Sequence, residues 1–183
     1  MTHNSKYVIS ELISMTTSHI LYAKQLLEIP ENLLQSKPSS KSWSVLECIE
    51  HLNRYAAFYN KEINKKMNAS LLPFSETFKS TYLGNKFSND MLPKEGMKTM
   101  STFKSKNPNA SNLDKEEVIL TFIKLQEELL TFLHTAFSKN LDKIKTYTTL
   151  PILKFKLGDT FRFVIHHNER HIFQAKKVLD NLA

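Results

Sequence analysis

Apolar residues recur at alternating spacings of three and four along most of this chain, the signature of helices with one buried face. The first such stretch spans residues 5–28, with Val8, Leu12, Met15, His19, Tyr22 and Leu26 in phase, and Pro30 stops it. The second spans residues 45–69. Ser44 and Glu47 mark its start as an S-x-x-E capping box, with Trp43 placed to staple against Cys48. The third spans residues 114–138 and carries Val118, Phe122, Leu125, Leu129, Phe132 and Ala136 on one stripe. The fourth spans residues 157–182, with Phe161, Val164, His171, Ala175, Val178 and Leu182 in phase. Strand-like alternation is hard to find. Four helices with one apolar stripe each bury those stripes against one another, so the pattern predicts an all-α four-helix bundle in one domain, residues 1–183.

The connection between the second and third stretches, residues 70–111, is long for a compact domain. It carries Phe74, Phe78, Tyr82 and Phe87, and is predicted to cross over one end of the bundle with a short helix near residues 75–82. Charge changes the picture little. The net charge of +7 comes from 25 basic and 18 acidic residues, but the lysines are scattered and arginine occurs only at positions 54, 162 and 170. Arginine is the preferred fork for bases and phosphates, so a solvated lysine-rich surface is the expectation and a nucleic-acid partner is not. The start MTHNSKYVIS lacks a basic region followed by an apolar block, no apolar run is long enough for a bilayer, and Cys48 is the sole cysteine. A cytoplasmic location with no membrane partner is expected.

Three of the seven histidines fall within HHNERH, residues 166–171. His167 and His171 are four apart, hence one turn apart on one helix face, and that face is the inward one. Two readings stay open at this point: ligands to one metal ion, or neutral histidines hydrogen-bonded to backbone or to each other. The motif is not H-E-x-x-H. Asn168 follows His167, and Glu169 lies about 200° around the helix from the ligand spacing, so Glu169 and Arg170 are expected in ion pairs across helices or at the surface. His51 is the candidate for a third ligand, inward on the second stretch beside Cys48, Tyr55 and Phe58. Three histidines from two helices would leave coordination positions open to water or substrate, an arrangement suited to Lewis-acid chemistry. His19 reads as a satisfied core histidine, His166 as a pocket or interface residue, and Cys48 as a small buried apolar side chain. His134 lies off its stripe and His3 in a frayed terminus.

The segments SWSVLECIEHL, residues 42–52, and HNERHIFQ, residues 167–174, together resemble the DinB-like superfamily, in particular its bacillithiol transferase-like branch. The family pattern pairs a Trp-Ser start to the second helix, followed by a histidine, with H-x-E-R-H-x-x-Q in the last helix. Trp43, His51, His167, Glu169, Arg170, His171 and Gln174 match it, and the order of the four helical segments matches as well. The resemblance implies an up-up-down-down bundle with a long crossover between its second and third helices. It implies a divalent ion, zinc or nickel, held by His51, His167 and His171. It further implies an enzyme that transfers a low-molecular-weight thiol to a small electrophile; basic residues such as Arg54 or Arg170 are candidates to hold carboxylates of that thiol, although the sequence does not place them. The alternatives are a metal-dependent hydrolase and a non-catalytic metal-binding or interaction bundle; a homodimer is compatible with any of these. A general base for hydrolysis is not evident, since Glu47 reads as a cap and Glu169 faces away.

Overall fold

The computed structural model describes residues 1–94, 96, 102–109 and 112–181. Four long helices dominate it: α1 (Ser5–Leu26), α3 (Val45–Asn68), α5 (Lys115–Ala136) and α6 (Leu157–Asp180). These coincide with the four periodic stretches to within about two residues at each end, the usual fraying margin. Leu182, expected to close the last stripe, lies outside the described residues, as does part of the crossover.

The ends are set by side chains that satisfy orphan N–H groups. Asn4 accepts from the Tyr7 amide at 2.9 Å, and Asp114 accepts from the Glu117 amide at 2.8 Å. Ser44 and Glu47 make both bonds of the capping box, at 3.2 and 2.8 Å. Glu47 also pairs with Lys37.

Helix direction follows from the packing. Val8 and Leu12 at the start of α1 share one apolar cluster with Tyr59, Ile63 and Met67 at the end of α3, and with Leu133 and Phe161. A second cluster joins the end of α1 to the starts of α3 and α5 and the end of α6. On α3 and α5, Asn53 bonds the Val118 carbonyl and Asn60 the Leu125 carbonyl, equal steps in the same direction. The order is therefore up-down-down-up, which corrects the expected up-up-down-down. The reason lies in the connections: the short link through α2 (Glu31–Gln35) turns the chain straight back, whereas parallel α3 and α5 demand a link as long as the bundle, about 35 Å at 1.5 Å per residue.

That link accordingly runs along the side of the bundle instead of over its end. It begins as strand β2 (Thr77–Lys79), paired antiparallel with β1 (Thr2–Asn4), so the N-terminus is tied down and His3 stacks on Phe78 at 4.9 Å. Helix α4 (Tyr82–Asp90) follows, beginning where the expected helix was to end, and packs on α6. Its approach is close: a Cβ at Gly84 would run into the Asp159 carboxylate. Asp159 is fully buried, accepts from Ser80 and Thr81, and lies beside Arg162, which also bonds Asn85 and Asn89. A 3-10 turn, Lys104–Lys106, then lies against α3. A hairpin, β3 (Lys145–Tyr147) with β4 (Lys154–Lys156), joins α5 to α6. The fold is thus mostly helical, with strands of three residues each, too short to leave an alternating pattern.

Between the two apolar clusters lies a polar level. It holds Gln126 bonded to Asn168 at 2.8 Å, His19 bonded to Glu169, and the histidines of α3 and α6.

Candidate metal centre

Helix phase and the packing of α3 on α6 bring the three histidines together. The inward stripe of α3 carries His51 near the helix start, and one face of α6 carries His167 and His171 a turn apart. Because these helices are antiparallel neighbours, the two levels coincide, and the candidate ligand atoms lie within 4.8 Å of one another. His51 Nε2 sits 3.3 Å from His167 Nε2. Tetrahedral zinc with bonds of about 2.0–2.1 Å separates its ligand nitrogens by roughly 3.3–3.4 Å, so this edge is already the right length.

Outer contacts orient two of the rings. The Lys106 carbonyl lies 2.8 Å from His51 Nδ1, and the Gln174 Oε1 lies 3.0 Å from His171 Nδ1. A backbone carbonyl can only accept, so His51 Nδ1 carries the proton and its Nε2 presents a lone pair; His171 does the same while the Gln174 amide oxygen faces it. Burial keeps the rings neutral. It pushes His51 down to about 4 against the favourable pull of the Lys106 bond. It pushes His171 down to about 3, with the His51 charge adding to the effect. His167 is held well below the ordinary histidine range by burial and then by its two neighbours. Neutral imidazole is the ligating form, so the donor set fits a divalent ion.

Aromatic rings wall the cluster. Trp43 lies 4.8 Å from the His51 ring and 5.7 Å from the His171 ring, so it covers the histidines instead of only stapling the helix start to Cys48. Tyr55 contacts His51 and His167 at 4.9 and 4.7 Å, and Phe163 stacks parallel to His167. The histidines open into a cavity of about 840 Å³, within the range of small-molecule sites. The crossover supplies Phe87 and Phe103, the β3–β4 hairpin Thr148 and Leu150. Lys41, Lys94, Arg170 and Lys177 also line it, while the described lining contains no Asp or Glu.

A family model described as the DinB superfamily matches residues 21–175. The chain belongs to the DinB superfamily. No curated protein and no solved structure matched it. The matched region of this DinB chain spans His51, His167 and His171 together with the crossover between α3 and α5. No helix among the described residues is long and apolar enough to cross a membrane.

The remaining candidates sort cleanly. His19 is buried and bonds Glu169 of α6 at 2.8 Å, the interhelical pairing expected of Glu169. His166 bonds the Ser88 carbonyl at the α4–α6 contact. Cys48 is fully buried, and burial pushes its thiol up, away from thiolate chemistry. His134 is exposed. Arg54 is tied to Glu50 and the Asn107 carbonyl and does not line the cavity, whereas Arg170 does. What residue-type reasoning missed is the Lys106 carbonyl: a backbone acceptor leaves no mark in a sequence.

Proposed function

We propose that this DinB-superfamily protein is a metal-dependent enzyme that transfers a low-molecular-weight thiol to an electrophilic small molecule. The observation that carries the reading is the convergence of three neutral histidines on one point of a large, aromatic-rich cavity whose described lining has no carboxylate. A divalent ion held there by His51, His167 and His171 would lower the pKa of a bound thiol or water. Hydrolysis also calls for a group that passes a proton from the bound water to the leaving group, and among the described lining residues no Asp or Glu is there to do so. Thiol transfer makes less demand of this kind, because a thiol has a single proton to lose.

The chain's own side chains then divide the work. Trp43, Tyr55 and Phe163 exclude water around the histidines and favour an apolar electrophile. Arg170, Lys41, Lys94 and Lys177 favour a thiol that carries carboxylates. Zinc and nickel both suit imidazole donors.

The test begins with metal analysis of the purified protein. Metal-loaded protein is then mixed with a small thiol and a chromogenic electrophile near neutral pH. Conjugation that is fast in the parent and lost in His51→Ala supports thiol transfer. Equal rates in the two would replace it with a non-catalytic binding role.

A further inference from the structure

Gln174 is one turn beyond His171 on α6, partly exposed, and borders the same cavity. Its Oε1 meets His171 Nδ1 at 3.0 Å. The direction of this bond decides what His171 can do. With the amide oxygen facing the ring, the proton sits on Nδ1 and the Nε2 lone pair is free. With the amide nitrogen facing it, the proton would sit on Nε2, and His171 would present an N–H where a lone pair is needed. The second arrangement is incompatible with the third corner of the histidine cluster.

The two orienting contacts also differ in kind. His51 is set by a backbone carbonyl of the crossover, which no substitution can remove. His171 is set by a side chain on its own helix. One turn of spacing lets Gln174 reach back toward His171, and its amide is neutral, so it orients the ring without placing a negative charge beside the candidate site.

We propose that Gln174 is a positioning residue for the metal centre, holding His171 in the Nδ1–H tautomer with Nε2 aimed at the ion. This rests on the metal-site reading above. Any acceptor of the same length serves that purpose, and an apolar isostere does not. Glutamate keeps the acceptor; leucine keeps the bulk and removes it.

The test compares the parent, Gln174→Leu and Gln174→Glu for Zn²⁺ affinity by chelator competition, and for the visible spectrum of the Co²⁺ form. Thermal unfolding of each metal-free protein monitors the fold. Loss of an outer-sphere partner of this kind typically costs 10–100-fold in affinity. The expectation is a Gln174→Leu affinity about 10–100-fold below the parent with a changed Co²⁺ spectrum, at an unaltered metal-free Tm. Gln174→Glu should bind at least as tightly as the parent. Parent-like affinity in Gln174→Leu would overturn the proposal. So would equal weakness in both variants, because packing and not the acceptor would then be what counts. A parent protein that binds no Zn²⁺ would bring down the metal reading itself, a result distinct from either.

Discussion

Lowering the pH of the metal-free protein should unfold it earlier than its composition suggests, and the cause is the histidine cluster. In the unfolded chain a histidine titrates near 6.5. In the folded chain burial pushes His51 down to about 4 and His171 down to about 3, and His167 is also far down. Between pH 6.5 and the folded values the unfolded chain therefore binds more protons, so stability falls as pH falls. Each such histidine contributes about 1.4 kcal/mol per pH unit in that window. At pH 5 the loss is roughly 2 kcal/mol for each of His51 and His171, hence roughly 4 kcal/mol for the two, with His167 acting in the same direction, against a total stability of about 5–15 kcal/mol for an ordinary domain. The assay is urea unfolding of chelator-treated protein at steps from pH 7.5 to 5, beside a variant with His51, His167 and His171 all changed to Asn. The parent midpoint should drop steeply below pH 6.5 and the variant midpoint much less. Parallel curves would refute the reasoning, since the lost stability would then come from groups outside the cluster.

Ile152 has φ of 67° and is 95% exposed, a β-branched residue in the left-handed region with almost no burial in return. Ile152→Asn should raise Tm, by the equivalent of about 1 kcal/mol, and a lower Tm would show that the side chain is held by contacts. Gly84→Ala should destabilise by about 1–3 kcal/mol, because its methyl meets the buried Asp159 carboxylate between α4 and α6; unchanged thermal unfolding would contradict that packing. Despite the net charge of +7, duplex DNA should not bind below micromolar concentration at physiological salt, and a steep salt slope with tight binding in a titration would reverse this reading.

The long helices were legible because each buries a continuous stripe, and the start of α3 because its cap is written in two residue types, Ser44 and Glu47. The histidine cluster was legible for the same reason: the phase of α3 and α6 puts His51, His167 and His171 on inward faces. Helix direction was not, since stripes look alike read up or down; the length of the α3–α5 connection carried the signal and was misread as an end cover. Strands of three residues fall below any periodicity. The place of Trp43 over His51 and His171 depends on how α3 and α6 meet, a tertiary fact. The His19–Glu169 contact likewise needed α1 and α6 to be parallel neighbours.

Position 106 reaches His51 through its main chain, an acceptor every amino acid owns, while the Lys106 side chain, bonded to the Arg54 carbonyl and set over the Tyr55 ring, helps hold that carbonyl in place. Point substitutions at Thr102 and Phe103, which line the cavity, can thus retailor its wall, in bulk or charge, without touching the atom that orients His51. Deletions in the same stretch act otherwise, since shortening the path withdraws the carbonyl along with the wall. The cavity wall is open to change by spelling, and the histidine cluster to damage by length.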